Sequence, residues 1–380
     1  MITTKNMVDK KDLFIEYKPS TAVIPGETLL EVLESKNMKQ AELAARIGMS
    51  QKHINEIVNG KTSITSETAI QLEKALGIPA RFWATLESDY QEILARHAEE
   101  KYLIAEAKEA KEYPYNEMEK WGWVPKVKDQ LQRTKNLLSF FGVSTLGNII
   151  EKNSLQSVLY RISTKRHYSI PAIVTWLRKG VIDSENVSTS PYDETKFKET
   201  IQKIRNLVVS GLDTFKSEAP SFLSDCGVAF VVTPNLKNAP INGATRWLSA
   251  DKALIQLSLR NKFADIFWFS LFHELGHLVL HGKRDVNVDF VNGDGNLVDR
   301  NKEQEVDEYA KNILLSKNHY NEFVGKGNFT IQSIVSFAKK AEVFPGIVIG
   351  RLQHDKLIPM GKYTYLRDKY DWVTAEEKIL

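Results

Sequence analysis

The feature that most constrains this chain is an H-E-x-x-H pattern, formed by His273, Glu274 and His277 inside a long apolar run. Residues four apart share one face of an α-helix, so His273 and His277 can offer two imidazole nitrogens to one metal ion. Glu274 projects beside them and suits a carboxylate that accepts the proton of a water molecule. The pattern predicts a buried helix with two zinc ligands and Glu274 as the catalytic carboxylate.

The apolar residues around the pattern argue against a chance occurrence. Apolar side chains dominate both flanks, from Phe267 to Phe272 and from Leu278 to Leu280. Burying two histidines and a glutamate in such a helix costs free energy unless a partner compensates them, and a metal ion does so. Gly276 lowers helix stability by roughly 1 kcal/mol relative to alanine. We therefore expect a close neighbour that needs the space at this position.

A later segment offers candidates for a third ligand. Zinc in a catalytic site takes three protein ligands and keeps a fourth position for water. Residues 303–315 (EQEVDEYAKNILL) carry four carboxylates on a helical pattern, with Val306 and Ala310 in its apolar stripe. The carboxylates are those of Glu303, Glu305, Asp307 and Glu308. The pattern alone leaves the choice among them open.

Two strands are predicted ahead of the H-E-x-x-H helix, at Val228–Thr233 and Leu254–Leu259. In the second strand apolar and polar residues alternate, which is typical of a half-buried strand. This strand leads directly into the helix, and the resemblance to zinc metallopeptidases given below implies an edge strand beside that helix. An extended peptide would then add to that edge, beside Arg246–Trp247.

The N-terminal part carries a second pattern, three short helices separated by turn signals. The predicted helices are Gly26–Leu33, Gln40–Ile47 and Gln51–Val58, with Ser50 as the N-cap of the third. This spacing is typical of a helix-turn-helix, in which the second helix of the motif enters the major groove of DNA.

Five side chains near these helix starts are candidates for DNA contacts, one to a phosphate and four on the recognition helix. Residues 1–100 carry 15 Asp and Glu against 12 Lys and Arg, whereas residues 36–61 carry five positive and two negative side chains. The groove-facing side can therefore be basic, although a role in dimerisation or protein binding stays open. The candidates are Gln40 for the phosphate and Gln51, Lys52, His53 and Asn55 for the groove.

Composition excludes several other classes. The 380 residues, 42% of them hydrophobic, are enough for two or three domains with their own cores. The single cysteine, Cys226, excludes an intramolecular disulfide and a cysteine-based zinc cluster. No segment approaches the ~20 apolar residues of a membrane span, and the first residues lack a signal-peptide pattern. We expect a cytoplasmic protein with no membrane partner.

The middle of the chain is mainly helical in pattern. Ser88–Lys111 lacks Gly and Pro and predicts a long solvated helix, and a further helix is predicted from Asp193 to about Lys216. Val187–Asp193 clusters Ser, Thr and Pro, which indicates a linker.

Both motifs resemble known families. Gln40–Lys61 resembles the phage-repressor and Cro-type helix-turn-helix family, and its continuation Ser66–Trp83 resembles the HigA-type antitoxin branch. H-E-L-G-H-x-x-L-H followed by E-x-D-x-Y-A resembles the ImmA/IrrE family of zinc metallopeptidase domains, with Phe344–Gln353 as a further similar stretch.

The second resemblance implies a specific ligand set. It makes Glu305 the third zinc ligand, places Asp307 behind the ligands, and gives His281 a packing role or a bond at the helix end. The chain departs from the family pattern at Val306, where alanine is usual, and at Ser316, where a proline often ends the helix. Neither departure changes a residue that carries the chemistry.

Together these patterns predict a mainly α protein whose C-terminal part is α+β. The expected domains are a helix-turn-helix bundle at 1–90, a helical linker region at 91–186, and a zincin-like metallopeptidase domain with a small sheet at 187–380. We expect a homodimeric regulator of a double-stranded DNA operator, fused to a Zn²⁺-dependent endopeptidase that cleaves a repressor or toxin. The alternative is a HigA-type antitoxin and autorepressor whose metal domain senses or binds without turnover.

Overall fold

The computed structural model describes residues 22–149, 168–260, 262–281, 287–290 and 300–370. The chain forms two compact units, Met1–Ala105 and Glu106–Leu380. Among the helices in the described ranges, none combines the length and the hydropathy that crossing a membrane requires.

The N-terminal unit is a bundle of helices in which the predicted motif is present. Its second and third helices have the predicted bounds, and the hydroxyl of Ser50 accepts the His53 N–H at 3.1 Å as the predicted N-cap. The helices are α1 (Pro25–Ser35), α2 (Gln40–Ile47), α3 (Gln51–Val58), α4 (Ser66–Leu76) and α5 (Ala80–Ala110), and α5 continues into the second unit.

Apolar residues at helical spacing form the core of this unit. Leu29 and Leu33 lie one turn apart on α1, and Ile54 and Ile57 lie on the inner face of α3. Each fully buried side chain of this size stabilises the bundle by about 1.5–3 kcal/mol relative to an exposed one. Because α3 has its apolar residues turned inward, its opposite face is left to solvent.

Ten further α-helices of the second unit lie wholly within the described residues, beside a 3-10 helix at Thr364–Leu366. The segment predicted as one helix from Asp193 forms two, because the Ser210–Gly211 pair interrupts it. The helices are α6 (Tyr115–Lys120), α7 (Gln130–Phe141), α8 (Ile170–Glu185), α9 (Glu194–Asn206), α10 (Leu212–Ser224), α11 (Ala264–Leu280), α12 (Arg300–Leu314), α13 (Lys317–Gly325), α14 (Ile331–Lys340) and α15 (Pro345–His354).

A four-stranded sheet lies in this unit, with strand order β1-β3-β2-β4. Strand β3 is parallel to β1 and antiparallel to β2, and β4 is antiparallel to β2. The strand before the H-E-x-x-H helix, which was expected to be half-buried and to take up an extended peptide, is therefore an internal and almost fully buried strand. The strands are β1 (Val228–Val232), β2 (Ile241–Ser249), β3 (Lys252–Leu257) and β4 (Asn287–Phe290).

The polar residues of β3 explain this error. Gln256 is 2% exposed, and its Nε2 donates to the Trp176 carbonyl at 2.8 Å and to Thr233 Oγ1 at 3.0 Å. Ser258, just after the strand, donates to the Ile241 carbonyl at 2.7 Å. The alternating polar residues in and after β3 therefore make internal hydrogen bonds and do not form a face exposed to solvent.

The middle segment packs into the second unit. A core cluster joins residues of α7 and α8 to Ile241 and Ala244 of β2. The predicted linker also makes backbone hydrogen bonds within the second unit. The Tyr192 N–H donates to the Asp251 carbonyl at 2.9 Å, and the Asp193 N–H donates to the Cys226 carbonyl at 3.2 Å. The division into domains at residues 90 and 186 stays a prediction.

The start of α11 is tied to a segment near the C-terminus, Arg367–Tyr370, which we call the C-terminal clasp. Arg367 donates to both carboxylate oxygens of Asp265, at 3.0 and 2.8 Å, and its guanidinium lies 4.0 Å from the ring centre of Phe263. Trp268 Nε1 donates to the Tyr370 hydroxyl at 3.0 Å. Burial raises the pKa of Asp265, and the Arg367 bonds oppose that rise.

Candidate metal centre and DNA-reading helix

Helix α11 buries the whole H-E-x-x-H pattern, as predicted. His273 and His277 are each 2% exposed and Glu274 is fully buried. A Cβ built on Gly276 would lie 3.0 Å from atoms of Val306 and Tyr309 on α12. The expected close neighbour of Gly276 is confirmed, because the missing side chain lets α12 approach α11.

Three ligand atoms converge between α11 and α12. His273 Nε2 lies 3.1 Å from His277 Nε2 and 3.2 Å from Glu303 Oε2, and His277 Nε2 lies 3.7 Å from that same oxygen. Tetrahedral zinc with bonds of about 2.0–2.1 Å holds its ligand atoms about 3.3–3.4 Å apart. The triangle therefore has the edge lengths that a tetrahedral ion requires, and its two imidazoles and one carboxylate are the donor set of a catalytic zinc site.

The carboxylate in this cluster is that of Glu303, whereas the resemblance implied Glu305. Glu305 is exposed and lies outside the cluster. At 100° per residue, Glu305 points about 200° away from Glu303 around the helix axis. Since Val306 and Ala310 are fully buried against α11, the face that carries Glu303 is the one turned toward the histidines.

Asp307 lies beside His273, one of the candidate ligands. Its Oδ1 is 3.0 Å from His273 Nδ1. A carboxylate at Nδ1 favours the tautomer whose proton is on Nδ1, which leaves the Nε2 lone pair for a metal ion. Asp307 is four residues after Glu303, so one face of α12 supplies both a candidate ligand and the group that orients another.

Sequence reasoning did not single out Glu303 as a candidate ligand, although a signal for its position was present. Glu303, Asp307 and Ala310 follow the i, i+4, i+7 spacing of a single helix face. The buried stripe of α12 therefore extends through Glu303 and Asp307. The position of each carboxylate relative to this stripe distinguishes Glu303 from Glu305, which the family motif alone does not do.

Glu274 is held from the sheet side. Its Oε2 lies 2.5 Å from Thr245 Oγ1, and its backbone carbonyl lies 3.2 Å from the same hydroxyl. A Cβ on Gly243 would come within 2.5 Å of Glu274 Oε1, so a larger residue there would displace the carboxylate. Neither β2 residue had been singled out from the sequence.

His281 forms the C-cap of α11 and is not in the ligand cluster. Its ring centre lies 5.4 Å from that of His277. Within the described part of the chain, its buried Nε2 has no hydrogen-bond partner.

Arg246 lies on the sheet face opposite Thr245. Its strand neighbours Ala244 and Leu248 pack with residues of the α8 side. Burial and the nearby positive charge of Arg178 lower the pKa of Arg246. The expectation that Arg246 borders an extended peptide beside Glu274 has no support from this placement.

The candidate DNA contacts lie on and before α3. Gln51, Lys52 and Asn55 are exposed, and His53 and Gln40 are half-buried. Lys52 Nζ is 3.9 Å from a carboxylate oxygen of Glu56. The three exposed side chains are free to approach a ligand without unfolding the helix.

Comparison with known proteins bears on the N-terminal unit. Residues 29–83 match the helix-turn-helix family, so the chain carries a helix-turn-helix domain. No curated protein matches the chain.

Several solved structures are similar to part of the chain. A HigA-family addiction module antidote protein from Coxiella burnetii is 29% identical over 22% of this chain and 92% of its own, with a TM-score of 0.21. A putative antidote protein of a plasmid maintenance system from Nostoc punctiforme is 34% identical over 22% of this chain and 93% of its own, with a TM-score of 0.20. The Pseudomonas aeruginosa antitoxin HigA, solved with the higBA promoter, is 31% identical over 22% and 90%, with a TM-score of 0.21.

Proposed function

We propose that this chain is a DNA-binding transcriptional regulator fused to a zinc-dependent endopeptidase that hydrolyses a protein partner, a repressor or a toxin. The observation that carries the enzymatic part is the triangle of candidate ligands formed by the buried His273 and His277 and the half-buried Glu303 on two packed helices. A buried carboxylate, that of Glu274, is next to the first ligand in the chain and lies outside the triangle. A site that only stored zinc would not need this extra carboxylate.

Each residue of the site has one role in this proposal. His273, His277 and Glu303 hold the metal, and Asp307 fixes the orientation of the His273 ring. When bound, zinc polarises a carbonyl group and makes water acidic near neutral pH. Glu274 accepts the proton from the attacking water and later gives it to the leaving amine.

The helix-turn-helix match and the exposed outer face of α3 support the DNA-binding part. In this proposal α3 enters the major groove of a double-stranded operator, with Gln51 and Asn55 at base edges and Lys52 at a phosphate. The half-buried side chains of Gln40 and His53 make the remaining contacts with DNA. Two copies bind as a dimer, since operators of such proteins repeat one half-site per protomer.

Glu274→Gln tests the enzymatic part. The variant keeps the size of the side chain and all three ligands, so zinc content measured by elemental analysis should remain that of the wild type. Cleavage of labelled casein, and of the protein encoded beside this gene, should fall by ~10²–10⁴-fold, the usual contribution of a positioned base. Glu218→Gln is the matched control, because Glu218 is an exposed carboxylate on α10, and it should cleave as the wild type does.

A different result would favour the antitoxin alternative. If the zinc-loaded wild type cleaves neither protein, and if Glu274→Gln represses its operator and protects cells from a toxin as well as the wild type does, the endopeptidase proposal is overturned. The metal domain would then be a sensor or a toxin-binding platform.

A further inference from the structure

The face of β2 that lies under α11 has features that metal binding does not require. Gly243 and Thr245 are two residues apart and share that face. Thr245 is 1% exposed and is paired across the sheet with Ile255 on β3 and Asn287 on β4. Because strands flank it on both sides, its backbone is held in place.

The Thr245 hydroxyl contacts Glu274 twice. Its single proton can go to the carboxylate oxygen Oε2 at 2.5 Å or to the backbone carbonyl at 3.2 Å. The shorter contact has the length of a charge-assisted O–H···O⁻ bond, which is about twice as strong as a neutral one. A hydroxyl on a β-branched residue also has few χ1 alternatives, so the direction of this bond is fixed.

Gly243 provides the space that the Glu274 carboxylate occupies next to the sheet. A methyl group there would approach both Oε1 and Cγ of Glu274, at 2.5 and 2.8 Å. The sheet therefore leaves space for the carboxylate at Gly243, which has no side chain, and provides a hydroxyl group at Thr245. Thr245 binds one carboxylate oxygen, and the other oxygen lies close to the Gly243 backbone.

We propose that Thr245 is a positioning residue for Glu274: its hydroxyl holds Oε2 and so fixes the orientation of the carboxylate that accepts the proton of the attacking water. This inference rests on the proposed peptidase function. It adds a requirement that the ligand set does not contain, since Thr245 contacts the proton acceptor and no metal ligand. Thr245 should therefore affect turnover and leave zinc affinity unchanged.

Thr245→Val removes the hydroxyl and keeps the shape of the side chain. For casein cleavage by the zinc-loaded protein, we expect kcat to fall by ~10–100-fold. Removing other residues that hold functional side chains in place has an effect of this size. KM should not change, because the hydroxyl does not contact substrate in this proposal. Thr245→Ser restores the hydroxyl and should recover most of kcat.

A matched control separates positioning from simple loss of a buried hydroxyl. Thr233 is also fully buried in this unit, and its Oγ1 accepts a hydrogen bond from Gln256 at 3.0 Å. Thr233→Val should keep kcat and zinc affinity. If Thr245→Val lowers the melting temperature, zinc affinity and kcat together, as a structural defect does, the positioning proposal is overturned.

A second readout does not depend on turnover. Acetohydroxamate chelates zinc and gives a proton to a neighbouring carboxylate, so its affinity for the zinc-loaded protein, measured by calorimetry, reports the placement of Glu274. We expect Thr245→Val and Glu274→Gln to weaken its binding, and Thr245→Ser and Thr233→Val to leave it unchanged.

The two readouts distinguish the two proposals. If the wild type cleaves casein while Thr245→Val matches it in kcat and in acetohydroxamate affinity, Thr245 does not position Glu274 and the peptidase function stands. If the wild type cleaves no protein while Thr245→Val still weakens acetohydroxamate binding, the peptidase function fails and the positioning stands. A wild type that takes up no zinc would overturn both.

Discussion

Replacing Glu303 by glutamine tests the assignment of the third ligand. Glu303 Oε2 lies 3.2 Å from His273 Nε2 and 3.7 Å from His277 Nε2, so it is the only carboxylate in the metal cluster found among the described residues. The substitution keeps the length of the side chain and removes the negative charge and one anionic donor. The two histidines remain as ligands.

The expected loss follows from the strength of zinc sites. Apparent zinc-binding free energies of roughly 10–16 kcal/mol in four-ligand sites correspond to about 2.5–4 kcal/mol for each ligand. At about 1.4 kcal/mol per factor of ten, Glu303→Gln should weaken zinc binding by ~10²–10³-fold. Glu305→Gln, the matched change of an exposed carboxylate two residues later, should alter it by less than about twofold, as surface substitutions usually do.

Competition with a chromophoric chelator at constant pH measures both affinities. Circular dichroism of the zinc-free proteins serves as the folding control, since neither side chain supports the core of the unit. If Glu305→Gln loses zinc while Glu303→Gln retains it, the phase of α12 differs from the one described and the family motif gave the right ligand. Equal losses in both variants would also refute the geometric assignment.

Three other predictions address the rest of the molecule. Asp307→Asn should weaken zinc binding by ~10–100-fold in the same chelator assay, and an unchanged affinity would show that its contact with the ring does not matter for binding. Gly276→Ala should force α12 away from α11 and lower stability by about 1–3 kcal/mol in urea unfolding, whereas a neutral or stabilising effect would mean that the helices adjust without cost. Asn55→Ala should cost ~1–3 kcal/mol of specific binding to an operator selected from random DNA, and Lys52→Ala should reduce the salt slope by about one. Wild-type binding curves for both variants would remove α3 from the interface.

The sequence predicted best those elements whose signal is local. The second and third helices were predicted with their observed bounds, because Ser50 and the apolar spacing around Ile54 mark where a helix begins and which face it buries. The buried H-E-x-x-H helix followed from the cost of placing two histidines among aromatic residues. Gly276 pointed correctly to a close helix contact.

The remaining features depended on contacts between distant segments. Gln256 looked like a solvent-facing residue because its partners, Trp176 and Thr233, are far away in sequence. Strand β2 was not recognised as the support of Glu274, since Thr245 gains its role only when α11 packs over it. Glu303 becomes a candidate ligand only when α12 packs against α11 and turns this side chain toward the histidines.

The C-terminal clasp has a consequence for the order of events during synthesis. Arg367 is 102 residues beyond Asp265, the residue that it holds at the start of α11. At ~5–20 residues per second, a ribosome needs on the order of 5–20 s to add those residues. During that interval α11 has been synthesised, but Arg367, which pairs with the Asp265 carboxylate at its start, has not. The bonds of Asp265 with Arg367 and of Trp268 with Tyr370 can therefore form only after that interval, and a chain that ended before residue 367 would leave the buried Asp265 carboxylate without this guanidinium.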